Sequence, residues 1–357
     1  MVKRLGGHGL LLLGFVLLAG CASMDEPRRY DPFAGVSRDQ WPVWPGAPEV
    51  PRYIFSGQLS GEENFVTERP EGQGRGLFAL LVGLGQEERI PRVLQRPQGG
   101  LVDSTGRILI TDVSRQAVYV FDPLQAQLLV WEMATDRQRF VAPIGIVESA
   151  SGDYLVTDAE LGLVARLDRN GQPLSPLGSG LLTRPTGIAR DPLSGELFIA
   201  DTRDGSIKVF DAEGSLLRRI GAPGDAPGEL NAPTYIAWHA GRLYVTDTLN
   251  SRIQIFDRQG RLRGRFGERG LYIGNFSRPK GITVDVNGFI YVVESYFDHL
   301  LIFDPQGQFL MAIGGSGQQP GQFFLPAGVW HDNQDQIYVA DMFNGRVEVF
   351  QFLGGTP

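Results

Sequence analysis

One cysteine, Cys21, occurs in 357 residues. A single thiol excludes a structural disulfide and any multi-cysteine zinc site, so stability has to come from packing. Histidine is scarce as well, with four in the chain: His8, His239, His299 and His331. Positive charge is in deficit, 33 basic against 40 acidic residues, for a formal charge of −7. An acidic chain lacks the electrostatic footprint of a nucleic-acid binder. Apolar runs are short. The stretch from Leu10 to Ala19, interrupted by Gly14, falls well below the ~20 residues that a membrane-spanning helix needs.

That first apolar run has the layout of an export signal. Lys3 and Arg4 precede it, and Leu18-Ala19-Gly20-Cys21 closes it with small residues before the cysteine. Leu-Ala-Gly-Cys resembles the lipobox of bacterial lipoproteins. The resemblance implies lipid attachment at Cys21, removal of residues 1–20, and a location in the bacterial cell envelope. Ala22 in place of an acid resembles the pattern sorted to the outer membrane of Gram-negative cells. Loss of residues 1–20 leaves 31 basic residues against 40 acidic, moving the formal charge to −9. The lipid, not surface charge, would then hold the protein to the membrane. Residues 21–50 read as a proline-rich tether, with no strand or helix period around Pro27, Pro42 and Pro45. The alternative for Trp41 and Trp44 is that they pack onto the folded body.

An internal repeat overrides the two-domain expectation from length. A proline followed two residues later by glycine recurs at Pro97/Gly99, Pro143/Gly145, Pro185/Gly187, Pro279/Gly281 and Pro326/Gly328. Pro233 keeps the register with Tyr235 in the glycine position, and successive prolines are 46, 42, 48, 46 and 47 residues apart. A second marker, an apolar run ending in an acid, ends at Asp112, Asp158, Asp201, Asp247, Glu294 and Asp341. A third run follows each, as in Val118-Tyr-Val-Phe-Asp122. Each unit reads as short β runs rich in Val, Ile, Tyr and Phe. The second run is apolar at consecutive positions, which demands burial of both faces. Six four-stranded sheets packed around an axis meet that demand, giving an all-β, six-bladed propeller. Repeat six ends at Phe350-Gln-Phe-Leu-Gly-Gly354 without a fourth strand, while a spare strand, Pro51 to Gly57, stands at the other end. The expectation is that this N-terminal strand completes the last blade and removes an unpaired edge. The propeller then occupies residues 51–357, with an insertion at 61–95.

Arg278-Pro-Lys-Gly-Ile-Thr-Val-Asp285 and Asp247-Thr-Leu-Asn-Ser-Arg-Ile-Gln-Ile-Phe-Asp257 resemble the NHL repeat. The linkers Pro227-Gly-Glu-Leu230 and Pro320-Gly-Gln-Phe323 are similar to the family as well. The likeness implies a six-bladed propeller and leaves the activity open, since one propeller serves many roles. Related propellers include metal-dependent peptide-amidating lyases, which use histidine ligands, and calcium lactonases. His239, His299 and His331 do not share a repeat position and are not expected to converge on one metal.

The antiparallel course of the first two strands puts the Pro-x-Gly turns and the six acids on one face. Asp112, Asp158, Asp201, Asp247, Glu294 and Asp341 are oxygen donors for a hard cation such as calcium. The alternative, favoured by one acid per blade, is that each accepts backbone N–H bonds from its turn. No cofactor is otherwise expected. The apolar segment Gly76–Gly85 in the insertion reads as a cap over this face or as a docking patch. Arg203, Tyr235, Tyr272, Tyr296 and Phe343 are the candidate partner contacts on the same face. The function these readings point to is a monomeric, membrane-anchored interaction scaffold for an envelope protein or peptide. It would be non-enzymatic and without nucleic-acid partners. The alternative is a metal-assisted hydrolase or lyase in the central channel.

Overall fold

The computed structural model describes residues 28–37, 41–67 and 91–355. Six sheets follow one another along the chain, each with its first strand innermost. Blade one holds Pro97–Val102, Ile108–Asp112, Ala117–Asp122 and Gln127–Trp131. Blades two to five begin at Pro143, Pro185, Pro233 and Pro279 and repeat the same up-and-down order. Blade six takes Val329–His331, Gln336–Asp341 and Arg346–Phe352 from the C-terminus and Tyr53–Leu59 from the N-terminus. Tyr53 pairs with Phe352 and Leu59 with Val347, so the expected closure of the ring is present.

Why these residues make blades follows from burial. Every residue of Ile108–Asp112, Tyr154–Asp158, Leu197–Asp201 and Ile290–Glu294 is buried. Alternate side chains of such a strand point to opposite neighbours, and six apolar clusters fill the six gaps between blades. The cluster holding Tyr338, Val349, Ile110 and Phe121 joins blade six to blade one, which no open array would have. Fully buried Phe55, Phe198, Phe256 and Phe303 contribute about 1.5–3 kcal/mol each by leaving water.

The glycines of the Pro-x-Gly turns set the spacing of the inner strands. A Cβ at Gly99 would lie 2.7 Å from the Ile144 carbonyl oxygen of the next blade. One at Gly328 would lie 2.2 Å from the Gln98 oxygen, closing the series from blade six to blade one. The missing side chain is what lets adjacent backbones touch around the axis.

One sequence expectation changes, and two details are added. Residues 28–37 and 41–50 of the expected tether are docked on the body. Arg28–Tyr30 pairs with Phe65–Thr67, and Val43–Trp44 adds a fifth strand to blade six beside Tyr53. Trp44 meets Phe350 edge-on at 5.4 Å, and Trp41 stacks on Phe33 at 4.3 Å. The aromatic and proline residues that looked like spacer therefore find apolar partners that the one-dimensional pattern did not show. The insertion expected at 61–95 is structured at both ends. A 3-10 turn at Glu62–Asn64 leads into Phe65–Thr67, and Leu94 enters the core between blades six and one. Residues 68–90, with the apolar Gly76–Gly85 segment, lie outside the described residues, as does Cys21. Blades one and two have the fourth strands expected of four-stranded sheets, at Gln127–Trp131 and Pro173–Leu177.

Candidate functional site

The six acids sit at the ends of second strands on one face, as expected, and all are buried to 1% exposure or less. They do not converge. Asp112 accepts the N–H groups of Gln95 and Arg96 at 2.6 and 2.9 Å, and those of Ser114 and Arg115 at 3.0 and 2.9 Å. Asp158 does the same for Val141, Ala142, Glu160 and Leu161. Asp201 adds the Lys208 ammonium at 2.6 Å, Asp247 the Arg252 guanidinium at 2.7 Å, and Asp341 that of Arg346 at 2.9 Å. Glu294, one methylene longer, still receives the N–H groups of Ser277, Arg278 and Tyr296. Burial pushes the carboxyls of Glu294 and Asp341 up, against these hydrogen bonds. Five of the carboxylates thus fasten the segment entering the blade to the turn leaving the second strand, while Asp201 ties the entering segment, Thr183 and Arg184, to Lys208 of the third strand. Among the described residues no three His, Cys, Asp or Glu side chains are grouped to hold a metal ion.

With the acids turned inward, other groups form the surface of that face. Two residues beyond each acid stand Ser114, Glu160, Arg203, Leu249, Tyr296 and Phe343. Blades one to three therefore offer polar groups and blades four to six apolar ones. Tyr296 is 58% exposed and Phe343 44%, and the linker Leu271-Tyr272-Ile273 beside them exposes Tyr272 to 84%. Phe343 packs on Phe324 at 5.5 Å, and the Arg96 guanidinium lies over its ring at 4.9 Å. Arg96, Arg203 and Arg278 are exposed on the same face. Of the five predicted contacts, Arg203, Tyr272, Tyr296 and Phe343 are accessible there. Tyr235 is not a loop contact. It lies in the first strand of blade four, and its hydroxyl donates to the Gln98 carbonyl of blade one at 3.0 Å. Burial raises its phenol well above the ordinary value.

Beyond Tyr235 the channel widens into a cavity of about 250 Å³ lined by the first strands of all six blades. It runs from the glycine level to Arg190, Trp238 and His331, at the strand ends away from the acids. His331 Nδ1 is 2.8 Å from Thr283 Oγ1, and burial lowers the basicity of its ring. A second hollow of about 590 Å³, between blades six and one, shares His331 and is lined by Tyr30, Asp103 and Asp332. His239 ends the same strand as Tyr235, whereas His299 begins the third strand of blade five near the acid face. The central cavity belongs to the channel that the sequence analysis offered for the alternative function, and its wall includes the motif glycines Gly99, Gly145, Gly187 and Gly328. The sequence markers did not point to the second hollow.

Comparison with known proteins agrees with this architecture. A family model described as a 6-bladed beta-propeller matches residues 284–356. NHL-repeat-containing protein 4 of Homo sapiens is 37% identical over 71 residues, 20% of this chain and 56% of the relative. The chain is a six-bladed β-propeller, similar over part of its length to an NHL-repeat protein. The propeller is also 29% identical over 140 residues to peptidylglycine alpha-amidating monooxygenase of Rattus norvegicus, covering 35% of this chain and 14% of that one. It thus spans about half of the first relative and a small part of the second. Among solved structures, virginiamycin B lyase from Staphylococcus aureus superposes with a TM-score of 0.54 at 16% identity, covering 72% of this chain and 96% of the other. A gluconolactonase from Xanthomonas campestris gives 0.57 at 17% identity, covering 72% and 86%. At such identities the propeller shares a fold with these enzymes, and the fold alone does not carry their chemistry.

Proposed function

We propose that this propeller is a non-enzymatic scaffold that binds a protein or peptide through the face carrying the buried acids, while a lipid on Cys21 holds it in the bacterial envelope. The observation that carries the reading is the two-sided surface on that face. An apolar arc, Leu249, Leu271-Tyr272-Ile273, Tyr296, Phe324 and Phe343, lies over blades four to six. Exposed Arg96, Arg203 and Arg278 stand around it. Aromatic and arginine side chains supply a disproportionate share of binding energy at interfaces. The matching partner is a segment with apolar anchors flanked by carboxylates. The alternative reading, a metal-assisted hydrolase or lyase in the channel, is favoured only by the likeness to a lyase and a lactonase. The six carboxylates it would use are already engaged with backbone N–H groups.

Site-specific photo-crosslinking in intact cells tests the scaffold reading. A photoreactive residue at Tyr272 or Tyr296 is expected to give a discrete adduct. The same residue at Leu193, 95% exposed on the opposite face, is expected to give none. Equal adducts from both faces, or none from either, would overturn the assignment of the surface.

A further inference from the structure

We infer that the cavity at the opposite end of the channel is a binding site for a small monocarboxylate, held by Arg190. This site is independent of the partner surface proposed above, from which the Tyr235–Gln98 bridge separates it.

The cavity, about 250 Å³, is far larger than a single bound water and falls just under the usual small-molecule range, which limits it to a compact ligand. Its lining includes glycine backbone, Leu101, Val147, Ile188, Val284 and Trp238, with polar and apolar surface in nearly equal shares. Arg190 is the one formally charged residue of the lining, and no acidic side chain faces it there. Its Nε donates to the Glu148 carbonyl at 2.9 Å, which fixes the guanidinium plane. The two terminal nitrogens have no partner among the described residues. A fixed guanidinium with a free edge is matched by a carboxylate. His331, kept neutral by burial, adds no second cation. One carboxylate therefore balances the charge. The ligand body is compact, with an apolar part to cover the hydrocarbon share of a wall that is otherwise polar backbone edge.

The experiment uses the full chain and three probes: phenylacetate, its neutral amide and acetate. Binding is followed by calorimetry and by tryptophan fluorescence, since two of the five tryptophans line the cavity. Phenylacetate is expected to bind saturably, with the amide and acetate each about tenfold or more weaker. Arg190→Met is expected to lose about tenfold to a hundredfold for phenylacetate and nothing for the amide. Arg190→Lys should retain part of the affinity. Tyr272→Ser, on the other face, should leave all three values unchanged, which separates this site from the partner surface. Absence of saturable phenylacetate binding, or equal affinity for acid and amide, would overturn the inference on the unmodified protein. So would an Arg190→Met protein that melts like the parent and binds phenylacetate equally well.

Discussion

The phenol of Tyr235 in blade four reaches across the axis and donates to the main-chain carbonyl of Gln98 in blade one, 3.0 Å away. Tyr235 occupies the position that is glycine in the other five repeats. There it divides the channel into an acid-face mouth and a blind cavity. Its effect is local too. Thr111 and Thr157 donate to the Ile144 and Thr186 carbonyls of the following blades. Thr246, in the same place of blade four, has no partner for its buried hydroxyl.

Removing the Tyr235 hydroxyl is a direct test of the bridge. Tyr235→Phe is expected to cost about 1 kcal/mol in urea unfolding, the usual net value of one hydrogen bond. Tyr235→Gly should in addition join the two halves of the channel. Identical unfolding curves for the parent and the Phe variant would remove the bridge as a stabilising element.

The acids are expected to behave as turn fasteners. Asp158→Ala strips an acceptor from four backbone N–H groups in a fully buried place. It should cost about 3 kcal/mol or more. Saturating calcium or a chelator should leave the melting temperature of the parent unchanged. A calcium-dependent rise would return the carboxylates to a metal role.

Ring closure rests on apolar packing at one seam. Phe55 is fully buried and meets Phe350 edge-on at 6.2 Å. Phe55→Ala should cost about 3–5 kcal/mol, more than any single substitution in the exposed fourth strands. Differential scanning calorimetry would show it as a lowered, still single, transition. An unchanged melting temperature would mean that the N-terminal strand does not hold the ring shut.

Glu348 gives the protein a pH dependence of defined sign. It is fully buried beside Asp341, shares the Arg346 guanidinium with it, and burial raises its carboxyl from 4.5 to about 8. The folded state therefore binds a proton that the unfolded state releases. This stabilisation is complete below the unfolded value and declines as pH rises through about 8. Glu348→Gln should flatten the melting temperature between pH 5 and pH 9, measured against the parent. A parent stability that rises over that window would contradict the assignment.

Anchoring has a simple readout. Cys21→Ser is expected to abolish incorporation of labelled fatty acid and to move the protein from the membrane to the soluble fraction. A variant that still sediments with membranes would exclude a lipid on Cys21 as the anchor.

Much of the architecture was legible because a propeller writes itself into the chain. Two-sided burial makes second strands apolar at every position, and close contact of inner strands asks for glycine after each proline. The docking of Trp44 and of Arg28–Tyr30 was not legible, because a two- or three-residue strand carries no period. The acids were visible as a series but ambiguous in role. An aspartate that binds a cation and one that fastens a turn look alike until the neighbouring N–H groups are placed.

By itself the sequence determined the number of blades, the order of their strands and the seam where the ends meet. Those features depend on local spacing and on which faces must leave water. Only the tertiary structure decided what the axis contains. Tyr235 and Gln98 are 137 residues apart, and Arg190, Trp238, Trp330 and His331 come from three blades. Arg190, Trp238 and His331 each stand five residues after a repeat proline, but that spacing does not say that they border one cavity, which exists because closing the ring brings every first strand to the same line.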